Sequence, residues 1–230
     1  MIKFENTEVM GWEHAIRGMR NPMNSWDKSD SGQGCTIGFV DIRCVDCEQF
    51  DNEYEIGLCK SDKYVIGLND LTLMKQLKDA GTDHRKFMRM ITVYVDITAP
   101  LYWWKEFDTY KVGTVANSCS TMHKIHTKEF TLEDFSCEHL DMLSTDMMIQ
   151  HIIPTLNINR NIFIETKDKK YWWQMIQLLP SSYNQKRTVM MNYEVLANIY
   201  KGRKNHKLDE WSIGFINWIK LLPYSELIIS

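Results

Sequence analysis

The stretch that decides the fold is residues 84–122, HRKFMRMITVYVDITAPLYWWKEFDTYKVGTVANSCSTM. Apolar and polar side chains alternate from Ile91 to Ile97, and a period of two residues is typical of a half-buried strand. Ala99-Pro100 follows, and a proline in the first turn of a helix loses no hydrogen bond. We therefore predict a strand over 91–97 and a helix over 101–111.

The segment after Gly113 is small and polar, and it contains Thr114, Asn117 and Ser118. A packed strand and helix that carry a loop of hydrogen-bonding side chains are a common way to present a site. The same pattern also fits a core strand, a core helix and a solvated surface loop. Both interpretations stay open at this point.

The composition is that of an ordinary globular protein, since 44% of the 230 residues are hydrophobic and 25% are charged. This length suits one large domain or two small ones. A net charge of −3 gives no electrostatic case for nucleic-acid binding, although the basic segment 201–207 could meet a phosphate. No apolar run approaches a membrane span, and residues 1–9 lack the apolar core of a signal peptide. We expect a cytoplasmic protein without nucleic-acid or membrane partners.

Two groups of residues could bind a metal. Cys44 and Cys47 form a CxxC pair flanked by Cys35 and Cys59, but a zinc ribbon normally has two close pairs, so we expect reduced structural thiols. The other group consists of His123, His126 and Glu129. On a helix these three would share a face, yet such short spacing arises easily by chance. We therefore expect no metal site, with zinc as the alternative.

The remaining pattern is rich in helices. Periodicity and capping signals predict helices over 8–19, 70–80 with Asn69 as its cap, a segment opened by 131–134 and running toward His151, 171–179, 188–202 and 211–222. Strands are expected over 36–50 and 54–59, and a long polar loop over 21–35. This order predicts a single α+β domain over residues 1–230.

Three polar residues lie on or just after the helix predicted over 188–202, namely Asn192, Asn198 and Arg203. The eleven residues that separate Asn192 from Arg203 are close to three helical turns, so both would face nearly the same way. Amides and a guanidinium along one edge could bind carbonyls, ring nitrogens or a phosphate. Helix capping and surface salt bridges are the alternative.

Together these stretches resemble the flavin-dependent thymidylate synthases, which methylate dUMP using folate and FAD. His84, the strand, the Ala-Pro step and the helix follow the family's order without a gap, and the family signature RHRxxSxNxxSxRY falls on Thr109 to Met122. Further matches are Leu179-Pro180, Asn192, Leu196, Asn198, Arg203 and Trp211. The resemblance covers roughly Gly81 to Pro223, with an unmatched stretch between. It implies one domain of the thymidylate-synthase-complementing type, in which helices pack on a small sheet.

The signature itself is eroded. The family's RHR is Thr109-Tyr110-Lys111 here, and its last arginine is Thr121. The other changes are Thr114 for the first serine, Ala116 for the asparagine, Asn117 for an adjacent acidic residue and Cys119 for the second serine. The family's arginine before the Leu-Pro step falls on Ile176. Charge-assisted bonds to phosphate are strong, so these losses predict an altered dUMP site.

The resemblance also implies roles for particular residues. Arg203 would be the catalytic residue that polarises the pyrimidine. The residues implied for FAD are His84, Lys111, Asn192, Asn198 and His206. Those implied for the nucleotide substrate are Glu106, Thr114, Asn117 and Cys119. A homotetramer with shared sites is expected. Two functions stay open: a synthase-like enzyme acting on a pyrimidine nucleotide, and a non-catalytic nucleotide- or flavin-binding protein of the same fold.

Overall fold

The computed structural model describes residues 2–33 and 64–229. By contact the chain divides into two compact units, one formed by Met1–Val9 and Val93–Ser230 and the other by Met10–Thr92. The strands predicted over 36–50 and 54–59, and the cysteines at 35, 44, 47 and 59, lie outside the described residues. The prediction of one domain over 1–230 stays a prediction.

Strands and helices are interspersed along the described part of the chain. The strands are β1 (Lys3–Met10), β2 (Gly32–Gln33), β3 (Tyr64–Val65), β4 (Thr92–Pro100), β5 (Val115–Ser118) and β6 (Asn184–Asn192). The helices are α1 (Trp12–Arg20), α2 (Leu68–Asp79), α3 (Leu101–Phe107), α4 (Met142–Met147), α5 (Ile153–Thr166), α6 (Lys169–Leu178), α7 (Tyr193–Arg203) and α8 (Ile216–Lys220). The main sheet has the order β1-β4-β6-β5, and β2 pairs with β3. This arrangement confirms the predicted α+β class.

Strand β4 is the centre of the sheet and confirms the strand predicted from the alternation. Val93, Val95 and Ile97 are at most 1% exposed, because they point into the core, whereas Tyr94 on the other face is 39% exposed. The strand continues through Pro100, which has an extended backbone and precedes α3 instead of occupying its first turn. The helix was predicted to reach Lys111, but α3 ends at Phe107.

Two predicted helices begin later than expected, because strand residues precede them. The segment predicted as a helix over 8–19 starts with the end of β1, and α1 begins only after Gly11. Gly11 has a φ of 93°, and a side chain there would come within 2.1 Å of the Met90 carbonyl oxygen. The segment predicted as a helix over 188–202 starts with β6, in which Val189 and Met191 are fully buried and Thr188 is exposed.

The helical run over 142–166 differs from its prediction in where it starts. The capping box of Thr131 and Asp134 is present, but it closes a single 3-10 turn, and Asp141 caps α4 instead. A π turn, Met148–Ile152, joins α4 to α5. Pro154 lies just after it, and a proline inside a helix has no N–H and displaces the carbonyl four residues earlier. Within the described ranges, no helix is long and apolar enough to cross a bilayer.

Helices α5 and α6 enclose a second apolar core, of which Leu156 and Met175 are fully buried members. α6 confirms the helix predicted over 171–179 and ends before Pro180. The last predicted helix, over 211–222, is confirmed as a π turn, Glu210–Phe215, followed by α8.

In the second unit, the described part of the predicted 21–35 loop is tied to α2 through Asp70. Asn69 is not the cap of α2, because the helix begins at Leu68 and the Asp30 carboxylate accepts from the Asn69 and Asp70 N–H groups at 2.8 and 3.1 Å. Arg20 Nε donates to Asp70 Oδ1 at 2.6 Å, and both side chains are buried. The hydroxyls of Ser29 and Ser31 also donate to this carboxylate, at 2.7 and 2.6 Å.

Burial of Asp70 opposes its ionisation, but hydrogen bonds from Ser31, Ser29 and Arg20, together with the charge of Arg20, outweigh burial and lower the pKa of Asp70. A carboxyl group with a lowered native pKa stabilises the folded state at pH values above its unfolded pKa of about 3.9. That stabilisation declines as the pH falls below this value and is lost once the native carboxylate is protonated.

We expect Asp70→Asn to lower the free energy of unfolding by about 3 kcal/mol at neutral pH, because Arg20 would stay buried without a counter-charge. The variant should also lose less stability than the wild type between about pH 5 and pH 2. Chemical denaturation across this pH range measures both effects. Asp79→Asn is the control, since Asp79 is 72% exposed at the end of the same helix. Equal losses in the two variants would contradict the proposed role of the buried pair.

Candidate functional site

Arg203, the last residue of α7, is held in place by three aromatic or acidic side chains. Its Nε donates to the Tyr110 hydroxyl at 2.8 Å, and a terminal nitrogen donates to Glu106 Oε2 at 2.5 Å. Its guanidinium lies 5.0 Å from the centre of the Trp211 ring, and the side chain is 17% exposed. The predicted catalytic arginine is therefore a fixed, mostly covered cation with one accessible edge.

His206 contacts the same carboxylate. Its Nδ1 accepts from the Leu208 N–H at 3.1 Å, so the ring proton lies on Nε2, which is 3.1 Å from Glu106 Oε2. One carboxylate oxygen thus receives both Arg203 and His206. We call Glu106, Tyr110, Arg203, His206 and Trp211 the Arg203 cluster, and it brings together three of the residues predicted for the site.

We predicted that Asn192 and Arg203 share one edge of a helix. This is wrong, because α7 begins only at Tyr193 and Asn192 precedes it. Its Oδ1 caps that helix by accepting from the Val195 N–H at 3.0 Å. Its amide nitrogen faces the turn at Gly113, where an added Cβ would lie 3.0 Å away. Asn192 therefore has a structural task that occupies its carbonyl oxygen.

Asn198 and Lys111, which were also predicted for the cofactor, are not part of the Arg203 cluster. Asn198 is exposed on α7, and five residues of separation turn its side chain about 140° away from Arg203. Lys111 is exposed in the turn next to Tyr110. His84 is exposed in the second unit, where its backbone N–H donates to the Gly81 carbonyl at 3.1 Å.

The predicted substrate residues after Gly113 follow the edge of the sheet. β5 pairs antiparallel with β6, which places Asn117 opposite Thr188, and all four of its residues are exposed. The Thr114 hydroxyl donates to the Tyr110 carbonyl. Cys119 is exposed beyond the strand, and its backbone N–H donates to the Lys186 carbonyl at 2.9 Å. These residues line an accessible rim and are not part of the Arg203 cluster.

A pocket of about 430 Å³ opens beside Cys119. Its lining residues are Cys119, Ser120, Lys124, Ile125, Thr127, Lys128, Glu129, Phe130, Asp134 and Tyr183. Lys128 and Asp134 form an ion pair across 2.9 Å. Burial, followed by the negative charge of Asp134, raises the pKa of Tyr183, so its hydroxyl stays a neutral donor. The pocket combines aromatic walls with polar groups, as small-molecule pockets do.

The helix that the metal alternative for His123, His126 and Glu129 requires is absent, because residues 121–128 form turns and bends. The His126 ring packs edge-on against Phe163 at 4.9 Å, and its Nδ1 is buried with no hydrogen-bond partner among the described residues. Burial, followed by the charges of Lys167, Lys124 and Arg160, lowers the pKa of His126. Across residues 2–33 and 64–229, no group of three or more potential metal ligands is gathered.

Arg187 is a cation that the sequence reasoning missed. Its Nε donates to Gln185 Oε1 at 3.0 Å, a terminal nitrogen donates to Asp108 Oδ1 at 2.7 Å, and the guanidinium lies 4.2 Å from the Trp104 ring centre. Gln185 in turn donates to the Cys119 carbonyl at 2.8 Å. Gln185, Arg187 and Val189 are alternate residues of β6 and therefore share one face of the sheet. This strand was not recognised from the sequence, because a helix was assigned from residue 188.

No family model and no curated protein matches the sequence. Solved structures match the fold. The flavin-dependent thymidylate synthase ThyX from Helicobacter pylori, complexed with FAD and dUMP, has 14% identity and a TM-score of 0.63, over 99% of this chain and 97% of its own. Another structure of thymidylate synthase X from that organism, also with FAD and dUMP, has 13% identity and a TM-score of 0.62, over 98% and 94%. The chain has a ThyX-like fold, which confirms the predicted resemblance in fold.

We expect Arg203→Ala to lower the free energy of unfolding by about 1–2 kcal/mol, because it removes two hydrogen bonds and the cover over Trp211. Thermal and chemical denaturation in the absence of ligand measure this effect. Lys201→Ala is the matched control, since Lys201 is exposed on the same helix and should change stability by less than about 0.5 kcal/mol. An Arg203→Ala protein as stable as its control would show that the cluster contributes nothing to folding.

Proposed function

We propose that this protein acts on or binds a pyrimidine nucleotide together with FAD, at a site built on the Arg203 cluster, with a nucleotide site altered from that of dUMP-methylating enzymes. The observation that carries this proposal is the anchored guanidinium of Arg203. Its Nε and one terminal nitrogen are fixed by Tyr110 and Glu106. The other terminal nitrogen makes no hydrogen bond to a described residue and remains available to a ligand.

Such an arginine suits recognition of a planar polar group. The guanidinium is a rigid fork, and holding one side of it in place reduces the entropy lost when the other side binds a carbonyl or phosphate oxygen. Glu106 balances the charge of Arg203 and receives His206, so the site carries a neutralised pair and not an isolated buried cation. This organisation favours a polar ring edge or a phosphate as the contacting group.

The described residues fit FAD in part. Lys111, exposed beside Tyr110, is the cation that would hold a flavin phosphate, and the unused nitrogen of Arg203 is left for the pyrimidine. Trp211 is fully buried and packs against the Arg203 guanidinium, so its ring is not accessible for stacking on a flavin. FAD, when bound, would supply hydride chemistry, and this chain would bind and orient the nucleotide. The Helicobacter pylori structures that share the fold contain FAD and dUMP.

Non-catalytic binding is the second candidate, and the missing cations favour it. Thr109 donates its hydroxyl to the Glu106 carbonyl at 2.7 Å, and Ile176 packs in the apolar core of α5 and α6. Neither position can supply a charge to a phosphate.

Assembly into a homotetramer with shared sites, taken from the family resemblance, is part of the same proposal.

We expect the protein not to convert dUMP to dTMP at rates typical of thymidylate synthases. Each lost charge-assisted contact to the phosphate should cost about 1.5–3 kcal/mol of binding. The assay supplies dUMP, FAD, a folate methyl donor and a reductant, and it measures dTMP. Restored growth of a thymidine-requiring cell that expresses the protein would refute this expectation.

We expect FAD and pyrimidine nucleotides to bind to the wild type and to bind Arg203→Lys at least about tenfold more weakly, since lysine keeps the charge but lacks the planar fork. Equilibrium titration measures the affinities, and melting curves confirm that the variant is folded. Lys201→Ala should bind like the wild type. Unchanged affinity in folded Arg203→Lys would remove Arg203 from the site, and no binding to the wild type would refute the proposed function.

A further inference from the structure

A second anchored guanidinium, that of Arg187, lies beside the eroded signature segment. Arg187 contacts Asp108, the residue before Thr109, and its β6 position is directly opposite Ser118, the residue before Cys119. Thr109 stands where the signature has a cation. Arg187 of β6 therefore places a positive charge beside a segment that has fewer cations than the family signature.

The Arg187 side chain is built for contact and not merely for solvation. It is 15% exposed, it stacks on Trp104, and Gln185 and Asp108 fix its Nε and one terminal nitrogen. Its remaining terminal nitrogen makes no hydrogen bond to a described residue. The hydroxyl of Ser118 is also unpaired among the described residues, and residues directly opposite in an antiparallel pair share a face of the sheet.

We propose that Arg187, with the hydroxyl of Ser118, forms an oxyanion site that holds the phosphate monoester of the nucleotide. This proposal rests on the proposed function, since it names the group that grips the ligand's charged end. A guanidinium held on one side by a stacked ring and a carboxylate presents its free edge in a fixed orientation, which suits a phosphate oxygen. Asp108 repels an anion, so the carboxylate sets an upper limit on the affinity of the site.

Two neighbouring residues, Lys186 and Asp108, provide control variants for which the proposal expects different effects on phosphate binding. Lys186 is the adjacent residue of β6 and points to the other face of the sheet, where it contacts Glu5 at 3.0 Å and Asp96 at 3.3 Å. Lys186→Gln removes the same charge one residue away and should leave phosphate recognition unchanged. Asp108→Asn keeps an oxygen that can accept from Arg187 but removes the repulsion, so it should strengthen phosphate binding.

The experiment titrates dUMP and deoxyuridine into the wild type, Arg187→Gln, Arg187→Lys, Lys186→Gln and Asp108→Asn, with melting curves for each. The wild type should bind dUMP at least about tenfold more tightly than deoxyuridine, as expected for one charge-assisted contact. Arg187→Gln should bind both ligands equally, with its affinity for deoxyuridine unchanged. Arg187→Lys, which keeps the charge and an aliphatic stem, should show a preference for dUMP between those of the wild type and Arg187→Gln. Asp108→Asn should bind dUMP more tightly than the wild type does.

Failure of this inference and failure of the proposed function have different signatures. A folded Arg187→Gln or Arg187→Lys protein that keeps the full preference for dUMP overturns the oxyanion site, and so does Asp108→Asn if it weakens dUMP as much as Arg187→Gln does. If the wild type binds neither ligand, the proposed function fails. Inorganic phosphate then decides the site: a phosphate-dependent rise in Tm that Arg187→Gln abolishes supports it, and the absence of any such rise overturns it.

Discussion

The stacking of Trp103 on Trp211 is the contact on which the rest of the larger unit depends. The two ring centres are 4.4 Å apart, and both side chains are fully buried. Trp103 belongs to α3, which also supplies Glu106, whereas Trp211 belongs to the last helical segment. Because the Arg203 guanidinium lies 5.0 Å from the centre of the Trp211 ring, the stack also places the carboxylate of α3 next to the arginine at the end of α7.

This stack has a cost that shows how much packing contributes here. The Nε1 atoms of Trp103 and Trp211 are buried without a hydrogen-bond partner among the described residues. An unsatisfied buried donor typically costs about 1–3 kcal/mol. The favourable burial of two indole rings, together with Phe107 stacked at 5.2 Å on Trp103, must exceed that cost. The core therefore gives up polar satisfaction to gain a rigid base for Arg203.

Local sequence predicted those elements whose signal is strong over several residues, and it failed where tertiary pairing decides the boundary. Four alternating β-branched residues made β4 predictable. The buried positions of β6 that precede α7 are few, so the helical pattern that follows was extended over them. That error put Asn192 on a helix edge and hid Arg187. Glu106 and His206 came from the family resemblance, because no local pattern joins residues a hundred positions apart.

Three arginines, each paired with a carboxylate, separate structural from ligand-binding use of the same chemistry. Every nitrogen of Arg20 is engaged, by Asp70, by Ser25 and by the Lys28 carbonyl, and its side chain is 4% exposed. Arg203 and Arg187 each keep one terminal nitrogen without a protein partner among the described residues, and their side chains are 17% and 15% exposed. A buried guanidinium whose three nitrogens all donate within the protein stabilises the fold and has no free nitrogen to offer a ligand. One that is fixed on one side and open on the other is already oriented for an external oxygen, so the number of unused donors, and not the presence of an ion pair, distinguishes the two roles.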